Sequence, residues 1–150
     1  GEHFPYYFGA LALVMMLSSF VNSRLVESLG MRRLVMTGAI CLLTISSIYL
    51  VIILLSDTDM PLWSFMIYAS IGYFCFGVLF GNMHSMAMEQ VGHVAGVAAS
   101  VIGCISTLMA TLIGGFIGSF YNDSITPIVL GFAVLMLPII YITYTDDVTS

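Results

Sequence analysis

Hydrophobic residues follow one another in long runs along this chain, and charged residues interrupt them only at wide intervals. Five uncharged stretches lie between successive charged positions, and each is at least 21 residues long. A helix needs about 20 apolar residues to cross the hydrocarbon core of a bilayer. Because lipid offers the backbone no hydrogen bonds, each stretch is expected to be a helix, and the lack of alternation argues against a membrane barrel. The pattern therefore predicts an all-α, polytopic membrane protein.

Five transmembrane helices follow from these stretches, with their ends set by the charges and by the turn residues between them. The connections "SDTDMP" and "YNDSITP" are rich in Asp, Asn, Ser and Pro, which favour turns and helix starts. The predicted helices span residues 5–21, 34–55, 62–81, 94–120 and 125–144.

Composition agrees with a bilayer as the solvent of this chain. Hydrophobic residues make up 60% of the sequence and charged residues only 7%, whereas soluble domains carry about 25% charged residues. The net charge of −5 comes from scattered acids, and no basic patch indicates a nucleic-acid partner. The lipid bilayer is therefore the first expected partner.

The three basic residues set the expected orientation. Arg24, Arg32 and Arg33 all fall in the first connection, "NSRLVESLGMRR". The positive-inside rule places this connection in the cytoplasm. Counting along the helices then puts "GNMHSMAMEQVGH" and the C-terminus in the cytoplasm and the N-terminus outside. A chain that starts outside, with Gly and without a signal sequence, is expected to be the C-terminal piece of a longer protein.

The chemistry-bearing residues indicate neither an enzyme nor a cofactor site. No acid lies deep within a predicted helix, and no nucleophile–base pair, phosphate loop or metal-ligand cluster is present in the sequence. Cys41, Cys75 and Cys104 lie in apolar runs without CxxC spacing, and we interpret them as small buried or lipid-facing residues.

The helix predicted at 62–81 is rich in aromatic side chains. Tyr68, Tyr73 and Phe74 lie on it, and the polar Asn82 follows its end. Aromatic residues with a polar tip suit a cavity for bulky amphiphilic molecules, so these four residues are the candidates for a substrate cavity. The alternative is that the aromatic residues simply face lipid, where Tyr also marks the membrane interface.

Small residues crowd the helix predicted at 94–120 and the segment before it. They allow helix backbones to approach closely, as in GxxxG motifs; the candidates are Gly92, Gly96, Ala99, Gly103, Gly114 and Gly118. The alternative is that such patterns only pack helices, as in any polytopic protein. Glu89 and His93 precede this helix, and they form either an interfacial cap or a cytoplasmic gate that releases protons.

Two segments resemble a known family of transporters. The loop "RLVESLGMRR" resembles the cytoplasmic signature of the major facilitator superfamily, and "GNMHSMAMEQVGHVAGVAASVIG" is similar to the Bcr/CflA group of drug/proton antiporters within it. The resemblance covers nearly the whole chain and implies that its helices are the eighth to twelfth of twelve. It also implies a cytoplasmic gate region, for which the candidates are Asn22, Arg24, Glu27, Gly30, Arg32, Arg33, Glu89 and His93.

What the resemblance implies about function is efflux of small amphiphilic drugs in exchange for protons by alternating access. The implied location is the bacterial plasma (inner) membrane, and the implied partners are a drug-like substrate, protons and the missing N-terminal half, which would carry the proton-coupling acid. The second and fifth predicted helices would face lipid. Two alternatives stay open: an exporter of another metabolite, such as an amino acid or a sugar, and a membrane scaffold subunit that does not transport.

Overall fold

Five long helices make up the computed structural model, which describes residues 4–56, 60–89, 91–121 and 124–149, without the side chains at 93 and 146–149. Within these ranges there is no strand, and one 3-10 turn at Gly92–Val94 precedes the fourth helix. The helices are α1 (Phe4–Leu29), α2 (Met31–Leu55), α3 (Leu62–Glu89), α4 (Ala95–Gly118) and α5 (Thr126–Thr149). Each is long and apolar enough to cross a membrane, so the predicted fold class is confirmed.

Three of the helix ends predicted from the sequence lie at least five residues from the observed ends. α1 ends at Leu29 instead of residue 21, α3 ends at Glu89 instead of residue 81, and α5 ends at Thr149 instead of residue 144. Charged residues mark where a chain leaves the hydrocarbon core, but the backbone hydrogen bonds of a helix continue past that boundary into the headgroup region. Most of the two predicted cytoplasmic connections is therefore helical.

The core lies around α2, which packs against α3 on one side and α5 on the other. One buried cluster joins Val35, Leu42, Leu79 and Met136 from these three helices. Although the resemblance places α2 and α5 towards lipid, only one face of each is open, because the opposite face forms this core. Their open faces carry large aliphatic residues such as Ile48, Leu54, Leu130 and Val134.

Contacts between the helices define their relative directions. On α1 and α3, residue 18 contacts residue 74 and residue 22 contacts residue 82, so these two helices run parallel. On α2 and α3, residue 46 contacts residue 68 and residue 49 contacts residue 64, so these two run antiparallel. The C-terminal ends of α1 and α3 and the start of α2 therefore lie at one end of the bundle, which we call the arginine end.

α4 differs from the other helices because none of its residues is buried. It approaches α5 at Gly131, where an added Cβ atom would lie 2.7 Å from Cδ1 of Ile117. A helix that is apolar on all sides and open on most of them has its remaining surface available to lipid or to another helix.

Candidate functional site

An open cleft lined by aromatic side chains runs between α3, α4 and α5. Its first part is a groove of about 330 Å³ between α3 and α5. The groove is lined by Phe65, Tyr68, Ala69, Gly72, Tyr73, Phe76, Ile128 and Phe132. A second groove of about 440 Å³ between α4 and α5 shares Ile128 and Phe132 with the first and also includes Gly114 and Gly118. We call the two grooves together the aromatic cleft.

Tyr68 forms a fixed wall of this cleft. Its hydroxyl shares a 3.0 Å hydrogen bond with Oγ of Ser46, and its ring stacks on that of Tyr49 with centroids 4.7 Å apart and planes 6° apart. Oγ of Ser64 donates to the hydroxyl of Tyr49 at 3.3 Å. Tyr68 is only 4% exposed. Its hydroxyl is therefore hydrogen-bonded inside the bundle, and contacts with α2 fix the position of its ring.

Ser46 and Tyr49, the two residues of α2 that contact Tyr68, were not among the candidate site residues predicted from the sequence. Their only signal was two polar groups three residues apart in a helix made mostly of apolar residues, a spacing that puts them on one face. Such a pair predicts a polar contact but does not say which helix supplies the partner.

The remaining aromatic candidates point in different directions from α3. Tyr73 lines the aromatic cleft and is 36% exposed. Phe74 lines a separate groove between α1, α2 and α3, and its carbonyl oxygen accepts a 2.6 Å hydrogen bond from Oγ of Ser18. Successive residues of a helix are about 100° apart around its axis, so neighbours in sequence lie on different faces. The structure therefore brings Tyr68 and Tyr73 together and separates Phe74 from them.

Asn82 lies at the arginine end of the bundle and not among the lining residues of the aromatic cleft. It is 2% exposed, and its Nδ2 donates to Oδ1 of Asn22 at 2.6 Å and to the carbonyl oxygen of Val78 at 2.8 Å. The first bond joins α3 to α1. Asn82 thus pairs with a residue that the sequence assigned to the gate region, and together they link two parallel helices.

A single residue, Gly30, joins α1 to α2. Its φ of 77° lies in the left-handed region that residues with a side chain rarely adopt. Its N–H donates to Val26 O at 3.0 Å, closing α1, and its carbonyl oxygen accepts from Leu34 N at 3.3 Å, opening α2. The predicted loop is therefore a tight turn between two helices.

The charged residues of the gate region lie on the helices on either side of this turn. Arg24 and Glu27 are on the last two turns of α1, while Arg32 and Arg33 are on the first turn of α2. The guanidinium carbon of Arg24 lies 5.7 Å from the ring centroid of Phe20, within the range of a cation–π contact.

Glu89 and His93 lie on either side of the passage from α3 to α4. Glu89 is the last residue of α3 and is exposed, while His93 is in the 3-10 turn and its side chain is outside the described part. Their prediction as a gate stays a prediction.

The predicted glycine positions have open space where a side chain would lie. A Cβ atom built on any of these glycines would meet no atom of a neighbouring helix within 4 Å; they are Gly92, Gly96, Gly103, Gly114 and Gly118. Ala99 is exposed as well. The close approaches of helices involve other glycines: Gly77, where a Cβ would lie 2.6 Å from Oγ of Ser18, and Gly38, where it would lie 3.4 Å from Cγ of Leu79.

The chemistry available in the aromatic cleft is apolar binding. Its lining residues include no charged side chain, and nowhere in the described ranges do three or more His, Cys, Asp or Glu residues form a group that could hold a metal ion. Stacking on aromatic rings and burial of apolar area are the interactions that such a surface offers.

Comparison with known proteins gives one informative match. The chain is 25% identical over 147 residues to the "Bicyclomycin resistance protein homolog" of Haemophilus influenzae. The aligned region covers 97% of this chain but 36% of that protein, so the chain spans about a third of the length of this relative. No family model matches the chain. No solved structure matches it either.

Proposed function

We propose that this chain is part of a drug efflux transporter of the Bcr/CflA type in the major facilitator superfamily, and that the whole protein exports small amphiphilic compounds in exchange for protons. The observation that carries the proposal is the alignment of almost the entire chain with a protein named for resistance to bicyclomycin. Five helices that can each cross a membrane support a transport role. The relative is longer, so the remaining helices of the transporter would be supplied by sequence outside this chain.

The aromatic cleft is the surface of this chain that would contact the transported compound. Tyr73 presents its partly exposed ring there, and the buried Tyr68 lies beside it in the wall of the cleft. Ile128 and Phe132 supply apolar surface from α5. No lining residue carries a charge, so the cleft suits an apolar or aromatic part of a substrate better than a carboxylate, an ammonium group or a sugar. This favours a drug-like substrate over an amino acid.

Proton coupling would depend on a group outside the described membrane-spanning segments. Between Phe4 and Phe20, and through the middle of α2 to α5, no acidic residue is present. Coupling requires that proton and substrate bias the same conformational equilibrium, so a titratable group elsewhere in the transporter would take the proton. We place the protein in the bacterial inner membrane, with the arginine end and the C-terminus in the cytoplasm.

The test is efflux by the full-length protein in a bacterial strain that lacks its own multidrug pumps. Cells loaded with a fluorescent amphiphilic dye should lose it when the protein is present, and an uncoupler should stop the loss. Failure of the protein to lower dye accumulation or to protect cells from any amphiphilic drug would contradict a role in efflux. Efflux that persists after the proton gradient has collapsed would contradict proton exchange.

The role of the aromatic cleft is tested by a matched pair of tyrosine variants. Tyr73→Ala removes an aromatic ring from the cleft and should raise the half-saturating dye concentration about 3- to 10-fold, since an aromatic contact contributes about 0.5–1.5 kcal/mol. Tyr141→Ala removes the same side chain from an open face of α5, where it is 70% exposed, and should leave transport unchanged. Equal effects of the two substitutions would contradict the assignment of the cleft.

A further inference from the structure

A groove between α1, α2 and α3 has no role in the proposed function. Its volume is about 440 Å³. Two hydroxyl groups line it, and those of Thr37 and Ser70 both donate to carbonyl oxygens of their own helices at 2.7 Å. Most of the remaining lining is apolar and includes Val14, Leu25, Leu34, Ile71, Phe74 and Val78. We call this the three-helix groove, and its surface offers apolar contact.

The three-helix groove has the depth of one leaflet of a bilayer. Along α1 its lining extends from Leu25, near the arginine end, back to Val14, which is about 16 Å of helix. Half of the hydrocarbon core of a bilayer is about 15 Å thick. An acyl chain of a lipid beside the arginine end would therefore lie at the same depth as the groove.

Two arginines flank the groove at the arginine end. Arg24 and Arg33 are exposed, and each comes directly before a lining residue, Leu25 on α1 and Leu34 on α2. The guanidinium carbon of Arg24 lies 5.7 Å from the ring centroid of Phe20, one turn back along α1. This contact keeps the charge close to the membrane surface, beside the opening of the groove.

Both arginines lie on the open sides of their helices. Ser18 and Gly38 mark the sides of α1 and α2 that meet α3. Arg24 is six residues from Ser18, and Arg33 is five residues from Gly38, so the arginines are turned by about 120° and 140° from these contacts. α3 therefore forms the floor of the groove, and the two arginines border its opening.

The other charged side chains described at this end lie away from the groove. Glu27 follows a lining residue of α1 by two positions, and Arg32 precedes a lining residue of α2 by two. Each is therefore about 160° from that lining residue around its helix axis. Glu89 is the last residue of α3, about 16 Å along the helix beyond the lining residue Val78. The opening is thus bordered by positive charge.

We propose that the three-helix groove binds an acyl chain of an anionic phospholipid, whose phosphate group lies between Arg24 and Arg33. Arginine pairs with phosphate through parallel N–H donors, and basic pockets between transmembrane helices bind anionic headgroups. A free phosphate ion would use only the arginines. A lipid uses both the charge at the opening and the apolar groove below it.

The size of the groove selects a lipid chain over another helix. A helix segment about 16 Å long and about 10 Å across would fill roughly 1,250 Å³. The groove has about a third of that volume, so it is too small to enclose a helix.

The test of the headgroup site is lipid binding by the purified full-length protein, measured by native mass spectrometry in an equimolar mixture of phosphatidylglycerol and phosphatidylethanolamine. One arginine beside an anionic headgroup contributes about 5-fold in affinity, so Arg24 and Arg33 together should favour phosphatidylglycerol by about 25-fold. Arg33→Gln should lower this preference about 5-fold. Arg32→Gln is the matched control, because it removes the same charge from the other side of α2, and it should keep the preference.

A second pair of variants tests the groove itself. Cys41 is exposed and lines the groove, so the ring of Cys41→Phe would take the space of the acyl chain and should lower the amount of bound phosphatidylglycerol. Ile40→Phe adds the same ring at the neighbouring position, which is 48% exposed and is not a lining residue. This control should bind as much phosphatidylglycerol as the unchanged protein.

Two results would overturn the proposal. Equal losses of preference in Arg33→Gln and Arg32→Gln would show that the arginines attract anionic lipids only through their total charge. Equal binding by Cys41→Phe and Ile40→Phe would show that the headgroup binds without the groove, or that another part of the transporter covers it. Neither result depends on whether the protein exports drugs.

Discussion

The contact between α1 and α3 at Gly77 gives the sharpest prediction about stability. A Cβ atom at position 77 would lie 2.6 Å from Oγ and 2.9 Å from Cβ of Ser18. Carbon atoms pack best about 3.5–4.0 Å apart, so Gly77→Ala must push the two helices apart by roughly 1 Å. Ser18 is fully buried and donates to the carbonyl oxygen of Phe74, so this movement also strains an interhelical hydrogen bond.

The expected cost follows from these two effects. Overpacking typically costs about 1–3 kcal/mol, and the loss of a hydrogen bond between transmembrane helices adds about 0.6 kcal/mol, with about 1.7 as the upper value. Ala favours the helix over Gly by about 1 kcal/mol, which offsets part of the loss. We therefore expect Gly77→Ala to lower the free energy of unfolding by about 1–3 kcal/mol.

The assay follows the exposure of Cys75 as the protein is heated in detergent. Cys75 is buried, so a thiol-reactive fluorogenic dye labels it only after unfolding, provided that the exposed Cys41 and Cys104 are first replaced by Ser. Gly77→Ala should lower the midpoint of labelling. Gly9→Ala on α1 is the control, because a Cβ there meets nothing within 4 Å, and it should leave the midpoint unchanged or raise it.

A second substitution separates this clash from a general defect. Ser18→Gly removes both atoms that the new methyl group would meet, so adding it to Gly77→Ala should recover part of the lost stability. Equal midpoints for Gly77→Ala and Gly9→Ala would refute the close contact. A double variant that is less stable than Gly77→Ala would show that Ser18 does not meet position 77.

Three further predictions concern orientation, the arginine end and α4. Ser28→Cys should react with a membrane-impermeant maleimide only from the cytoplasmic side; labelling only from outside would reverse the whole topology. Asn82→Ala should lower the free energy of unfolding by about 1–3 kcal/mol, because it leaves the amide of Asn22 without this partner; losses that simply add to those of Asn22→Ala would show that the two amides do not interact. Gly96→Leu and Gly103→Leu should each abolish efflux by keeping a neighbouring helix away from α4; normal efflux by both variants would show that this face meets only lipid.

The number of helices could be predicted from the sequence, but three of their ends could not. Charged residues are excluded from the hydrocarbon core, so the spacing between them reports how many times the chain can cross the membrane. It does not report where helical hydrogen bonding stops, and α3 therefore continues past Gly81 to Glu89. The tight turn at Gly30 was not predicted either, because the charged residues of "NSRLVESLGMRR" led to the interpretation of the whole segment as a connection.

The candidate site could be predicted only in part, because apolar helices do not show which face meets a neighbour. A soluble helix reveals its buried side by its polar opposite side, whereas α3 carries apolar residues all round. Tyr73 and Phe74 were therefore grouped although they face different grooves. The pairing of Asn22 with Asn82 was not foreseeable either, since it depends on α1 and α3 running side by side, and 60 positions separate the two residues.

The single-residue link at Gly30 also bears on how the chain enters the membrane during synthesis. Because α2 starts directly after this residue, the ribosome delivers α1 and α2 as one continuous hairpin of about 50 residues. Each helix satisfies its backbone N–H and C=O groups with its own hydrogen bonds. The link is too short for one helix to remain at the membrane surface while the other inserts. By the positive-inside rule, the arginines beside the link would orient both helices in one step, so the insertion machinery would make a single choice of direction for the pair.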